Sequence, residues 1–346
     1  MRFLGIRRRS SIRAALAALA SLSALAIGGS ISANAQEAGG AAGSGGLQAT
    51  LERLGGYVYA GDPVHVRVAV FNTGKEAYEN LKGLDLLKGL VAGDATGVGS
   101  ISRKQDAAGD RKHQPALLAP GGFFGYIVDL REMFEGLEKP GRLSVRLALE
   151  EVSSPPVLIA IIPRYDPKTA YRATLETEFG QVSFDLLARQ APHHVKNFYD
   201  LANQGFYDGS YFITMMKGVQ MIGGDLTGDG RSSPGYDLPL EIQPGMKHAR
   251  GTLSMLRKQE TDHGAQFVVS LGDNPMLDGN LSIFGVGAGG DDTLLALENL
   301  PTTGRSEKPY YRPLKDVKIL SARVVPATDG SKATAAEAGV TESAAP

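Results

Sequence analysis

Cysteine is missing from all 346 residues, which excludes disulfides as a source of stability and excludes a thiol nucleophile. The serine counterpart is missing as well, since no Gly-x-Ser-x-Gly elbow occurs. An excess of charge of one sign is also lacking. The 36 lysines and arginines are balanced by 37 aspartates and glutamates, so the chain has no basic field to gather nucleic acid or a membrane surface. That leaves a peptide, protein or small-molecule partner. Long apolar runs are confined to one place: Arg2, Arg7, Arg8, Arg9 and Arg13 precede an apolar stretch from Ala14 to Ile27, and Ala33-Asn34-Ala35 follows it. These are the three parts of a secretory signal, with cleavage expected after Ala35. The stretch is shorter than the ~20 residues that a bilayer-spanning helix needs. No membrane span is expected once residues 1–35 are removed, and the protein is expected to be exported, to a periplasm or another extracytoplasmic location.

What is present divides the rest of the chain. Hydrophobic residues make up 42%, enough for packed cores. Residues 36–46 and 326–346 are rich in Ala, Gly, Ser and Glu and read as a flexible lead-in and a disordered tail. Residues 47–163 read as β-structure. Val64, Val66, Val68 and Val70 alternate with polar or small residues before an Asn72-Thr73-Gly74 turn, and Leu143, Val145, Leu147 and Leu149 repeat the pattern behind Pro140-Gly141. Phe123–Leu130 and Val157–Ile162 are further strands, while Lys82–Leu118 has no clear pattern. Strands separated by Gly/Pro turns, with few helices, predict a small immunoglobulin-like β-sandwich, for which a structural or adhesive role is expected because no catalytic side chains gather there. Pro163 and Pro167 bar a helix from the following segment, and residues 164–170 read as a linker.

Residues 171–325 open with two alternating runs, Tyr171–Thr177 and Gln181–Leu187, joined at Phe179-Gly180 as a hairpin. A helix is predicted from Ala191-Pro192 through the apolar stripe Val195, Phe198, Leu201. Then come Gly205-Phe206-Tyr207-Asp208-Gly209, Gly223-Gly224-Asp225-Leu226-Thr227-Gly228, Gly251-Thr252-Leu253-Ser254-Met255, Gly264-Ala265-Gln266-Phe267, Leu277-Asp278-Gly279 and Phe284-Gly285. With Ala191-Pro192 and Asn197-Phe198, these motifs resemble those of the cyclophilin family in order and spacing, over about 155 residues. The resemblance implies a mainly β fold, a closed eight-stranded antiparallel β-barrel capped by two helices. It also implies cis/trans isomerisation of X-Pro bonds, with proline-containing peptides or protein clients as partners.

That reaction lowers a rotation barrier of ~18–20 kcal/mol set by amide resonance and breaks no bond, so no metal or cofactor is required. It needs an apolar pocket for the proline ring and a fixed cationic donor beside the twisting amide. In the family an arginine, two residues after a phenylalanine, supplies the donor. Here Phe212 matches the phenylalanine and Thr214 stands at the arginine position. By the same matching, Val219 and Gln220 replace a pocket phenylalanine and methionine, Ile222 replaces a glutamine, Val268 an aromatic, Met276 a tryptophan or similar large residue, and Leu281 a histidine. Gln266 and Leu277 keep the family's types. Lys217 and Arg257 are the nearest cations that could compensate, with Lys217 expected in solvent and Arg257 at the rim. The expected outcome is a weak isomerase that assists the folding of exported proteins; the alternative is a non-catalytic peptide- or protein-binding module. Met215, Met216, Met221, Met255 and Met276 fall near the site motifs and would soften such a groove; the alternative is that about half of them, at alternating strand positions, fill the barrel core.

Other patterns point elsewhere less strongly. Gly285–Gly290 satisfies G-x-G-x-x-G but lacks the surrounding βαβ unit. Asp225-x-Thr227-x-Asp229-Gly230 begins like a calcium loop, yet Tyr236 stands where a bidentate glutamate is needed. His193 and His194 are adjacent on a helix, point about 100° apart, and are expected in an exposed first turn.

Overall fold

The structure is a computed structural model that describes residues 46–327 apart from 80, 82–83, 96–98 and 106–114. The predicted signal, most of the lead-in and the tail beyond Ala327 lie outside the described residues.

The first unit contains β1 (Leu47–Arg53), β2 (Val58–Tyr59), β3 (His65–Asn72), β4 (Leu90–Asp94), β5 (Phe123–Asp129), β6 (Gly141–Leu147) and β7 (Val157–Ile162). They form a three-stranded sheet, β1-β3-β5, and a four-stranded sheet, β2-β7-β6-β4. Every pairing is antiparallel except β2 with β7. The alternation read in β3 and β6 is the reason: Val66, Val68 and Val70 from one sheet and Leu143, Val145 and Leu147 from the other enter one buried cluster. Asn72 ends β3 as a turn residue should. Its Nδ2 donates to the carbonyls of Glu76 and Leu118, and its Oδ1 accepts from the Gly74 backbone N–H.

The second unit contains β8 (Tyr171–Thr177), β9 (Gly180–Leu186), α1 (Pro192–Gln204), β10 (Tyr211–Met216), β11 (Gln220–Asp225), β12 (Asp237–Leu238), β13 (Leu253–Lys258), β14 (Thr261–Ser270), β15 (Ile283–Gly289), α2 (Asp291–Glu298) and β16 (Val317–Pro326). The strands run in the order β11-β10-β16-β8-β9-β15-β13-β14, and β14 pairs back with β11, closing an eight-stranded antiparallel barrel. Short β12 is added to β14. The predicted stripe of α1 fills its base: Phe198 lies 5.3–5.8 Å from the rings of Phe284 and Phe267 and 5.0 Å from Tyr207. Leu294 and Leu297 of α2 join the same cluster. Pro192 opens α1, and Gly205 ends it in the left-handed conformation, φ 83°.

The linker is a packed seam. Tyr165 stacks on Tyr171 and tilts against Tyr199, each at 5.3 Å, and the Tyr199 hydroxyl donates to the Pro163 carbonyl. Alongside it, the Tyr59 hydroxyl donates to Asp200 at 2.9 Å, Lys196 reaches both groups, and Tyr236 connects Tyr57 to Asn197. Arg142 of the first unit and Arg323 of the barrel share Asp208.

Candidate functional site

The matched positions gather where β10, β11 and β14 lie side by side. The strand register puts Thr214 opposite Ile222, Ile222 opposite Val268, and Val268 opposite Ser254. Directly opposed residues share a face, so these four form one row across the barrel wall. The reverse face carries Met215, Met221, Val269 and Leu253, all in the core. Exposure falls along the row: Thr214 and Ile222 are half-buried, Val268 and Ser254 fully buried.

Two irregularities set this row. Phe212 opposes Gly223 and Thr214 opposes Ile222, so Ile213 is an extra residue on β10, while Gly224 is extra on β11 between partners of Tyr211 and Phe212. Such bulges re-aim the side chains that follow them. Gly224 takes φ 86°, a conformation that glycine adopts without cost. At Gly223 a Cβ would come within 2.7 Å of the Phe212 ring, so the hydrogen lets that ring lie flat in the core. Phe212 therefore faces the barrel interior, edge-on to Phe267 at 6.2 Å, and not the outer row.

The other matched residues spread out. Gln266 is buried, and its amide nitrogen donates to Asp225 at 3.0 Å and to the Ser232 carbonyl at 3.1 Å. Asp225 also accepts from the Ser232 hydroxyl and backbone N–H and from the Gly230 N–H, so the loop that resembles half a calcium site is tied up by its own donors. Met276 is 84% exposed, Leu277 half-buried and Leu281 buried, all on the turn before β15. Val219 and Gln220 are half-buried at the β10–β11 hairpin. Val219 alone of the matched positions also lines an open cleft of about 490 Å³, whose other walls include Lys217, Glu298, Asn299 and Tyr311.

Neither candidate cation faces the row with a free head group. Lys217 is exposed and donates to the Asn299 side chain at 2.5 Å. Arg257 is held by the carbonyls of Gln259, at 2.8 Å, and Asn280, at 3.1 Å. The methionines divide between the two alternatives. Met215, Met221 and Met255 fill the core because strand alternation turns them inward, leaving Met216 and Met276 outside.

The histidines also differ from expectation. His193 is exposed, but the His194 ring is fully buried between Glu241, 2.5 Å from Nδ1, and Asp262, 2.9 Å from Nε2. The α1 N-cap, Ala191, has no side-chain acceptor. Glu241 serves from outside, accepting the backbone N–H of both His193 and His194. Burial alone would lower the His194 pKa; the hydrogen bonds to Asp262 and Glu241 reverse this and leave it raised. Burial pushes the Glu241 carboxyl up, and the His194 and His193 donors bring it down to about 2. Nothing local in the sequence announces this triad, since its members are 47 and 68 residues from His194. Buried His248 meets Asp278 at 3.1 Å, and burial lowers its pKa despite that carboxylate.

A closed eight-stranded barrel with a helix seated on Phe267 and Phe284, and an outer row on β10, β11 and β14, is the frame of a cyclophilin domain. The family described as cyclophilin type peptidyl-prolyl cis-trans isomerase matches residues 172–324. "Peptidyl-prolyl cis-trans isomerase-like 1" of Neurospora crassa is 37% identical over 155 residues, spanning 44% of this chain and 92% of that protein. "Peptidyl-prolyl cis-trans isomerase CYP18-2" of Arabidopsis thaliana is 33% identical over 156 residues, spanning 44% of this chain and 92% of its own length. A Cryptosporidium parvum cyclophilin type peptidyl-prolyl cis-trans isomerase, solved by crystallography, is 31% identical, covers 46% of this chain and 99% of its own, and has a TM-score of 0.43. The chain belongs to the cyclophilin-type peptidyl-prolyl cis-trans isomerase family. No helix among the described residues is long and apolar enough to cross a membrane.

Proposed function

We propose that this is an exported, two-domain cyclophilin whose barrel holds X-Pro segments of client proteins but isomerises them weakly. The observation that carries this reading is the occupant of the outer row. Thr214, Ile222, Val268 and Ser254 make it neutral where the family's chemistry needs a fixed guanidinium, and Arg257 and Lys217 are bonded elsewhere. Ile222, its half-buried aliphatic member, still offers apolar surface to a proline ring, at ~25 cal/mol per Å² removed from water. What the row lacks is a donor that gains strength as the amide twists. Losing one such group typically costs ~100–1,000-fold in rate.

A second reading, a binding module with no turnover, draws on the same neutral row and differs only in residual rate. The first unit fits an immunoglobulin-like sandwich by its three- and four-stranded sheets around one core, and its role is structural or adhesive. The secretory composition of residues 1–35 supports export. The test is protease-coupled isomerisation of a proline peptide with the full chain lacking residues 1–35. Turnover within tenfold of an ordinary cyclophilin would refute weak catalysis. Peptide binding without measurable turnover would select the second reading.

A further inference from the structure

The segment Leu271–Leu281 carries three matched positions, Met276, Leu277 and Leu281, yet contains no strand between the end of β14 and the start of β15. Its ends, Leu271 and Leu281, are buried and Arg257 holds the Asn280 carbonyl, while the stretch between is held by polar contacts. One oxygen of Asp278 accepts from the His248 backbone N–H at 2.8 Å and lies 3.1 Å from the ring Nδ1; the other lies 3.2 Å from the Lys247 ammonium. In return the Asn274 N–H donates to the His248 carbonyl at 2.8 Å. Histidine and turn thus grip each other at both ends of the turn.

The ring itself is out of water, and its Nε2 has no hydrogen-bond partner among the described residues. With Nδ1 donating to a carboxylate, Nε2 of the neutral ring is the unprotonated nitrogen. A proton added there makes a buried N–H with nothing to accept it. The charges around the ring do little to relieve this. Asp278 favours the cation but is already shared with Lys247; Arg250, on the same segment, is spent on Asp291, Glu298 and the Leu271 carbonyl; Asp273, on the turn, is exposed.

We propose that His248 is a positioning residue for the groove: neutral, it locks Asp278 and the Met276–Leu281 turn in place, and on protonation it releases the turn and weakens the hold on a bound peptide. The second half rests on the groove being the peptide site. The sign follows from burial, which lowers the His248 pKa below the ordinary 6.5. A base whose folded value is depressed contributes stability that is present above its unfolded value and is lost as pH falls through it. The turn is therefore firm at neutral pH and loosens on acidification.

The test follows three signals in the full chain without residues 1–35: the His248 ring by NMR, the exposed Met276 methyl, and the affinity for a synthetic Ala-Ala-Pro peptide. In the wild type, the Met276 methyl shift should follow the His248 titration. Peptide affinity should fall about fivefold over the same range, a modest site-to-site coupling. His248→Asn keeps a donor for Asp278 without a titrating ring, so both responses should flatten while affinity stays near the neutral-pH value. His248→Ala should bind weakly at every pH. A methyl that ignores the titration of His248, or that moves equally in His248→Asn, overturns the proposal. A methyl that responds in a chain that never binds the peptide upholds the positioning role and refutes the groove as the peptide site.

Discussion

Thr214 and Ile222 stand opposite each other across the β10–β11 ladder, and Val268 continues their row on β14. Three positions matched by resemblance to the family's site therefore meet on one face, and the bulges at Ile213 and Gly224 set the direction of the strands that carry them.

Lys217 is bound to Asn299, and Arg257 to the Gln259 and Asn280 carbonyls; on the proposed reading neither supplies the donor. Lys217→Ala and Arg257→Ala should each leave residual isomerisation within about twofold of wild type, far less than the ~100-fold loss expected for a true donor. A drop of that larger size in either variant would identify a relocated donor.

Gly223 lies under the Phe212 ring, with no room for a methyl. Gly223→Ala should force that ring and its neighbour Phe267 to shift, at about 1–3 kcal/mol of stability. Urea unfolding monitored by tyrosine fluorescence measures this, and an unchanged midpoint would count against the packing described.

The Glu241 carboxyl, drawn from its ordinary 4.5 to about 2, contributes about 3 kcal/mol that is present above pH 4.5 and lost as pH falls through 2. His194, with a raised pKa, acts in the opposite sense: its contribution is complete below 6.5 and is lost as pH rises through its folded value. The stability gap between wild type and Glu241→Gln should be widest between these limits, near pH 5–6, and should close toward pH 2. Thermal unfolding across pH measures the gap; a constant gap would contradict the triad.

Asp208 joins Arg142 of the first unit to Arg323 of the barrel. Both arginines are partly open to water, so screening limits the effect of Asp208→Asn to about 1 kcal/mol. Calorimetry should show the two units beginning to unfold separately. A single transition shifted to the same extent would mean that the tyrosine seam at Tyr165, Tyr171 and Tyr199 suffices to couple them.

The regular elements were legible in the sequence wherever periodicity was strong. β7 and β8 fall at Val157–Ile162 and Tyr171–Thr177 as predicted, and α1 begins at the proline that marked it. β2 and β4 are not legible, since their short runs gain definition only from the partner strands β7 and β6. The segment after Pro163 holds no helix, but the tyrosines between and after its prolines make the linker a packed seam. At the site, matched spacing placed Thr214, Ile222 and Val268 together. It could not reveal that Phe212 turns inward, which a bulge decides, or that Gln266 is tied down by a loop carboxylate. Nor could it pair His194 with Glu241, a contact made only once the barrel closes.

The most direct measurement is the rate of proline-peptide isomerisation by wild type beside Thr214→Arg/Val219→Phe. With a guanidinium and an aromatic wall restored to an intact frame, the double variant should exceed wild type by about 100-fold or more. Equal rates, or a wild type already as fast as an ordinary cyclophilin, would contradict the account.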